Sequence, residues 1–191
     1  LRFKGHLYVA QTAADGTRRM RQRNDDLNLD GLETRIGGGA VFGDYDNDGD
    51  LDLFVPLGRY NANAAAQNIL LRNDRGTFHD VATEAGLSDR LPTDNAVWLD
   101  FDRDGWLDLY TGNLACDQPD ETVRNRLYRN LGDGTFADET AAAGLDQVLS
   151  GTPTSALGGE GCSAGSNGGL LASDFNGDGW PDLYIGVFYG A

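Results

Sequence analysis

The chain has 191 residues, of which 40% are hydrophobic, so it suits one domain of ordinary size with a packed core. Its formal net charge of −15 makes nucleic acids and anionic membrane surfaces poor partners and favours cations or basic partners. No apolar run approaches the ~20 residues of a membrane-spanning helix, so the sequence predicts no membrane span. The 27 glycines, with short apolar runs between Gly, Asn and Asp, favour an all-β fold.

In chain order, the predicted strands follow an internal repeat. The segment GHLYVAQTAADGT (5–17) is an eroded copy of a motif that returns as NILLRNDRGTFHDVATEAGL (68–87) and NRLYRNLGDGTFADETAAAGL (125–145). Three acidic copies alternate with it: AVFGDYDNDGDLDLF (40–54), AVWLDFDRDGWLDLY (96–110) and LLASDFNGDGWPDLY (170–184). Such self-similarity is typical of repeat architectures.

Each full unit predicts four short antiparallel strands. Strand A precedes the acidic loop and strand B follows it, whereas strands C and D come from the other motif. In the second unit these strands are predicted at 96–99, 107–111, 125–130 and 135–140. Four such strands in a unit of about 40–60 residues are typical of a β-propeller blade.

We therefore predict an all-β chain that forms a β-propeller arc of four-stranded antiparallel blades, with two complete blades and two half-blades. The predicted limits are half-blade 5–22, blade 39–84, blade 96–141 and half-blade 169–188. Closed propellers need about 4–8 blades. Both ends of the chain also read as strands, so we expect a segment of a larger protein whose ends are covered by the remaining blades or other chains. The alternative is a self-contained β-sandwich or solenoid.

The acidic loops place oxygen ligands at fixed positions. With Asp44 as position 1, acidic or amide residues occupy positions 1, 3, 5 and 9, and glycine occupies position 6, where the chain must turn sharply. Position 7 varies, which fits a ligand that offers only its backbone carbonyl. The predicted metal ligands are Asp44, Asp46, Asp48, Asp50 and Asp52 in the first copy, Asp100, Asp102, Asp104, Trp106 and Asp108 in the second, and Asp174, Asn176, Asp178, Trp180 and Asp182 in the third.

Hard oxygen ligands at this spacing suit Ca²⁺ better than Mg²⁺, which demands a strict octahedron, or soft metals, which prefer His or Cys. Position 12 is Val55, Thr111 or Ile185 instead of the Glu of an EF-hand, so we expect about three β-loop-β calcium sites. Asn176 removes one charge, so the third site should be weaker. The alternative is a plain Asp- and Gly-rich hairpin without metal, which three copies in register disfavour.

The acidic loops and the linking motif resemble FG-GAP/VCBS repeats, the propeller repeats of integrin α-subunits and many secreted bacterial proteins. FGDYDNDGDLDLF combined with RNLGDGTFADET is closest to the cartilage-acidic-protein/UnbV-type branch. The resemblance covers about residues 5–188, although Leu99 and Ser173 stand where the first copy has Gly43. It implies structural Ca²⁺, protein or glycan ligands bound through loops on the opposite face, and an extracellular, secreted, periplasmic or cell-surface location.

The long segments are expected on that opposite face, because they occupy B–C or D–A connections. They are 24–38, 57–67, 113–124 and 146–168. Cys116 and Cys162 fall within them, and either a disulfide or two unpaired thiols is open.

The predicted function is a calcium-stabilised binding or adhesion scaffold. The alternatives are the propeller portion of a carbohydrate-active enzyme of lyase or dehydratase type and a purely structural segment. Arg59, Tyr60 and Arg124 offer no general base, and neither His6 nor His79 recurs in the repeat, so no catalytic residue is predicted. The recurring arginines, Arg72 and Arg129, are interpreted as carboxylate-pairing or hydrogen-bonding groups within a blade.

Overall fold

The computed structural model describes residues 8–22, 39–57, 67–91, 93–113, 125–145 and 166–188. These residues form strands and turns and no helix, which confirms the all-β prediction. Within these ranges no helix is long and apolar enough to span a membrane. Cys116, Cys162 and most of the long segments lie outside the described residues, so the choice between a disulfide and two unpaired thiols stays open.

In the described residues, twelve strands form four antiparallel sheets. Sheet I contains β1 (Tyr8–Thr12) and β2 (Arg18–Gln22). Sheet II contains β3 (Val41–Gly43), β4 (Asp52–Val55), β5 (Ile69–Asp74) and β6 (Thr77–Asp80). Sheet III contains β7 (Thr93–Leu99), β8 (Asp108–Asn113), β9 (Arg126–Asn130) and β10 (Phe136–Asp138). Sheet IV contains β11 (Ser166–Ser173) and β12 (Asp182–Phe188).

Sheets II and III have the same meander order, because each strand pairs with its neighbours in sequence. The β5–β6 connection is a two-residue turn in which Arg75 (φ 56°) and Gly76 (φ 91°) both have positive φ, the geometry that a tight hairpin requires. After β6 the backbone closes one further turn, in which the Leu87 N–H donates to the carbonyl of Ala82 at 2.8 Å. The same bond recurs after β10, from Leu145 to Thr140 at 2.9 Å.

A buried asparagine directly precedes the third strand of both four-stranded sheets and accepts a hydrogen bond from the backbone at the end of the second strand. The Leu57 N–H donates to Asn68 Oδ1 at 2.8 Å, and the Asn113 N–H donates to Asn125 Oδ1 at 2.9 Å. Because a buried backbone donor without a partner is costly, this bond explains why asparagine begins both copies of the motif.

Two clusters of the hydrophobic core lie between stacked sheets, and a third, formed by Leu53, Leu57, Ile69, Leu71 and Phe78, belongs to sheet II alone. Sheets II and III share one cluster, in which the Tyr45 and Trp98 rings stack at 6.2 Å with an interplanar angle of 8°. A second cluster joins sheets III and IV, with Tyr110 at its centre. Strand β8 is buried along its whole length because sheet III lies between these two clusters.

The outer sheets expose residues whose repeat equivalents are buried. Phe54 and Tyr110 are 1% and 0% exposed, whereas Tyr184, which occupies the same repeat position in sheet IV, is 60% exposed. Phe175 is likewise 57% exposed, although its equivalent Tyr45 is buried between sheets II and III. Among the described residues, the face of sheet IV that points away from sheet III therefore exposes apolar side chains.

Candidate metal sites

Each acidic copy forms the connection between the first two strands of its sheet. We name these connections loop 1 (44–52), loop 2 (100–108) and loop 3 (174–182). Loop 1 is a series of bends between β3 and β4, so its alternating aspartates do not line one face of a strand. The glycine at position 6 has φ of 93°, 90° and 85° in the three loops, a conformation that glycine adopts without strain.

Backbone N–H groups hold the first and fifth positions of each loop. The position-6 N–H donates to the position-1 carboxylate at 3.1 Å in loops 1 and 2 and at 2.8 Å in loop 3. The position-7 N–H donates to the Oδ1 of position 5 at 2.8, 3.0 and 2.8 Å. Hydrogen bonds to its own carboxylates thus help to fold each loop.

The aspartate at position 9 anchors the loop to the sheet. Asp52 accepts the N–H groups of Tyr45 at 3.1 Å and Asn73 at 2.8 Å, and it is 0% exposed. Asp108 makes the same two bonds, to Phe101 at 2.9 Å and Asn130 at 2.8 Å. Burial raises the pKa of both carboxyl groups to about 6, since water no longer stabilises the charged form.

Two groups of carboxylates are close enough to hold a metal ion. One oxygen from each of Asp44, Asp46 and Asp48 (positions 1, 3 and 5) lies within 4.8 Å of the others in loop 1, and Asp100, Asp102 and Asp108 (positions 1, 3 and 9) form a second such group in loop 2. The first group does not include Asp52, and the second does not include Asp104. Among the described residues, no such group forms in loop 3.

One oxygen in each of these two groups is buried and has no hydrogen-bond partner among the described residues. These atoms are Asp46 Oδ1 and Asp100 Oδ1. Burial and the neighbouring Asp48 raise the pKa of Asp46, which shows that the loop disfavours uncompensated charge. Since buried carboxylate oxygens are normally bonded or bound to a cation, the residues present fit a hard metal ion.

In loop 3, Asn176 stands at position 3, where the other two loops have an aspartate, and its amide hydrogen-bonds within the loop. Its Nδ2 donates to Asp178 Oδ2 at 3.0 Å, while its Oδ1 accepts the Asp178 N–H at 2.8 Å. Three loop N–H groups donate to Asp174, and these bonds lower the pKa of that residue. The loop therefore satisfies more of its own oxygens than loop 1 does.

The side chains at position 7 serve other purposes. Asp50 Oδ2 accepts the N–H of Arg75 at 2.9 Å, so this carboxylate is engaged with the β5–β6 turn. Trp106 lies against Gly132, and Trp180 is 48% exposed. The prediction that these residues offer only backbone carbonyls to the ion stays a prediction.

The side chains at position 4 make contacts between neighbouring loops that the sequence did not predict. Asn47, Arg103 and Gly177 occupy this position with φ of 56°, 59° and 79°. Asn47 Nδ2 donates to the carbonyl of Gly105 in loop 2 at 3.0 Å, and the Arg103 guanidinium lies 5.1 Å from the ring centre of Trp180 in loop 3. Each loop thus touches the next, and the three loops form a row. The presence of Asn47 and Gly177 at position 4 could have indicated a left-handed turn there, because Asn and Gly tolerate positive φ, but it could not have indicated the contacts between loops.

The two recurring arginines both pair with carboxylates, but with different ones. Arg72 donates from Nε and Nη2 to Asp74 at 3.1 and 3.0 Å, outside the acidic loop. Arg129 donates from Nε to Asp102 Oδ2 at 2.6 Å and from Nη2 to Asp104 Oδ2 at 3.1 Å, within loop 2.

The two carboxylate groups, with their buried and unpartnered oxygens, are properties of loops 1 and 2 alone among the described residues. Their chemistry fits a divalent cation bound by oxygen ligands. In the comparisons with known proteins, no family model and no curated protein matches this chain.

Proposed function

We propose that the chain is a calcium-stabilised scaffold in which Ca²⁺ binds the acidic loops. The observation that carries the proposal is the pair of buried carboxylate oxygens without a partner, Asp46 Oδ1 at position 3 of loop 1 and Asp100 Oδ1 at position 1 of loop 2. A cation removes the repulsion among the carboxylates of each loop and supplies the missing partner.

The donor set favours Ca²⁺ over other ions. Every side-chain donor is an oxygen, and loops 1 and 2 contain no His or Cys. Ca²⁺ accepts six to eight oxygen ligands in a flexible geometry, so the carboxylates can be completed by backbone carbonyls and water. In loop 1 the ligands would be Asp44, Asp46 and Asp48, with Asp52 at the base of the site. Loop 3, in which Asn176 replaces one carboxylate, would bind most weakly.

We further propose that the stacked sheets form an arc of a β-propeller of the FG-GAP/VCBS type. The identical strand order of sheets II and III and the row of loops support this proposal. The exposed Tyr184 and Phe175 support a further unit that covers sheet IV, since their equivalents are buried by the following sheet.

The scaffold would bind a protein or glycan ligand on the face opposite the loops, in an extracellular or cell-surface setting where Ca²⁺ is about millimolar. The proposed location goes with a Kd of about 0.1 mM or weaker, since Ca²⁺ sites in that range belong to extracellular modules. A glycan array and a pull-down with the purified chain, with and without Ca²⁺, would test the ligand class.

The calcium proposal predicts that Ca²⁺ raises the melting temperature. With Kd near 0.1 mM and Ca²⁺ near 1 mM, each occupied site contributes roughly 1.4 kcal/mol. For a chain of this size, that is a rise of about 3–5 °C per site. Differential scanning calorimetry in EDTA, in 1 mM Ca²⁺ and in 1 mM Mg²⁺ would measure it.

The matched control is the double variant Asp46→Asn and Asp102→Asn, which removes one ligand from each of the two groups while keeping the shape of the side chain. We expect it to lose most of the response to Ca²⁺. A wild-type melting temperature that is the same in EDTA and in Ca²⁺ would contradict the proposal.

A further inference from the structure

One difference between the two copies of the linking motif decides where its arginine lies. Residue 74, two positions after Arg72, is an aspartate that holds the Arg72 guanidinium through two hydrogen bonds of 3.1 and 3.0 Å. The equivalent residue after Arg129 is Leu131, which is 50% exposed and has no side-chain acceptor. Arg129 therefore lacks the local partner that Arg72 has.

Arg129 instead takes oxygens that loop 2 would offer to a metal ion. The backbone of the loop occupies Oδ1 of both carboxylates, because the Asp104 N–H donates to Asp102 at 3.3 Å and the Trp106 N–H donates to Asp104 at 3.0 Å. The remaining oxygen of each, Oδ2, accepts from the guanidinium at 2.6 and 3.1 Å.

Loop 1 is different at the same positions. Asp48 Oδ1 also accepts a loop N–H, from Asp50 at 2.8 Å, but Asp46 Oδ1 is buried without a partner. In the part of the chain that the structure describes, no arginine hydrogen-bonds to either carboxylate. Among the described residues, the carboxylates at positions 3 and 5 therefore accept a guanidinium hydrogen bond in loop 2 but not in loop 1.

We propose that Arg129 is an internal counter-cation of loop 2 that competes with Ca²⁺ for Asp102 and Asp104, and that residue 131 determines this competition. The inference rests on the proposed function for the ion itself. Loop 1 is then the tighter site, and loop 2 fills only after the guanidinium moves aside.

The competition is weak enough for an ion to win. The side chains of Arg129, Asp102 and Asp104 are 38%, 26% and 29% exposed, so solvent screens their attraction. Partly exposed ion pairs of this kind change an equilibrium by about fivefold at most, whereas a divalent ion also gains Asp100 and Asp108 as ligands. The expected effect on the Kd of loop 2 is therefore about fivefold.

The test exchanges the two local partners. Leu131→Asp gives Arg129 the acceptor that Arg72 has, and Asp74→Leu removes that acceptor from Arg72. Ca²⁺ titration by isothermal calorimetry, in backgrounds where only one loop keeps its position-1 aspartate, assigns each Kd. We expect Leu131→Asp and Arg129→Gln each to tighten loop 2 about fivefold and Asp74→Leu to weaken loop 1.

Two controls separate this mechanism from a general charge effect. In the Arg129→Gln background, Leu131→Asp should no longer tighten loop 2, because the double-mutant cycle isolates the effect that passes through the arginine. Arg72→Gln should leave the Kd of loop 1 within twofold, because Arg72 donates its hydrogen bonds to Asp74 and acts on Asp46 only through longer-range charge.

Melting temperatures supply a second readout. Arg129→Gln should lower the melting temperature in EDTA, where the guanidinium is hydrogen-bonded to Asp102 and Asp104, and the deficit should vanish in saturating Ca²⁺. If Arg129→Gln weakens Ca²⁺ binding at loop 2 or leaves it unchanged, or if the deficit is the same in both conditions, the inference is overturned while the calcium proposal stands. A wild-type chain that binds no Ca²⁺ at any loop would instead overturn the proposed function.

Discussion

Sheets II and III have the same strand order and the same acidic positions, yet neighbouring residues give them different surroundings. The position-9 aspartates, Asp52 and Asp108, accept equivalent N–H groups in both sheets. The difference lies in side chains that vary within the repeat, such as the pair Asp74 and Leu131. The repeated residues therefore fix the backbone conformation of the acidic loops, whereas the variable residues determine the charge and packing around them.

The junctions between sheets differ in the same way. Between sheets II and III, the large Trp98 ring lies against Gly43. Between sheets III and IV, the equivalent positions are a small Ala172 and a larger Leu99, which belong to one cluster. Each junction combines one large and one small side chain, so the total side-chain volume is similar. The large residue comes from the later sheet at the first junction (Trp98) and from the earlier sheet at the second (Leu99).

Asn130→Ala should cause the largest loss of stability, and a larger one than the same change at its repeat equivalent Asn73. Asn130 is 1% exposed and donates to the carbonyls of Tyr45 at 2.8 Å and Leu107 at 3.1 Å, and the first of these bonds joins sheets II and III. Leaving these groups unpaired should cost about 3 kcal/mol of the free energy of unfolding. Urea denaturation in EDTA would measure it.

The matched variant is Asn73→Ala. Asn73 donates to one carbonyl, that of Leu51 at 3.0 Å, near the surface, so we expect a loss of about 1 kcal/mol. Equal losses for Asn73→Ala and Asn130→Ala would contradict the bridging role of Asn130.

Gly43→Ala should give the next largest effect and test the packing at the junction. A Cβ at this position would lie 2.7 Å from Trp98 Cδ1, so the ring or the strand must shift. Overpacking of this kind should cost about 2 kcal/mol. The control, Ser173→Ala, changes the equivalent and exposed position of sheet IV and should stay within about 0.5 kcal/mol. A Gly43→Ala variant as stable as wild type would show that the junction is loosely packed.

Asp48→Asn and Asp50→Asn compare a predicted side-chain ligand with a predicted carbonyl ligand in loop 1. Of the changes discussed, we expect these two to have the smallest effects. Asp48→Asn removes a charged ligand and should weaken Ca²⁺ binding about tenfold. Asp50→Asn should change the Kd by less than about twofold, because this side chain accepts the Arg75 N–H at 2.9 Å and an amide oxygen can do the same. Calorimetric titration of both variants would measure the difference, and a comparable loss in Asp50→Asn would place its carboxylate at the ion.

Much of the fold could be predicted from the repeat, since the position of each strand is tied to a local signal. Alternating apolar runs mark the strands, and Gly49, Gly105 and Gly179 mark the turn of each loop because the backbone there needs positive φ. The recurrence of Arg72 and Arg129 indicated that both make hydrogen bonds within a blade or pair with carboxylates, and the structure shows the second. Which carboxylate each one meets could not be predicted, because that depends on the nearest acceptor in space.

The sequence by itself determined the all-β class, the order of the strands and the acidic positions of the loops, because these follow from local pattern and from repetition. Tertiary structure alone decided that Asn47 and Arg103 join neighbouring loops, that Trp98 covers Gly43, and that Arg129 enters loop 2. The physical reason is that stacking brings together side chains that are distant in sequence, and their exact distances then govern hydrogen bonds, packing and charge.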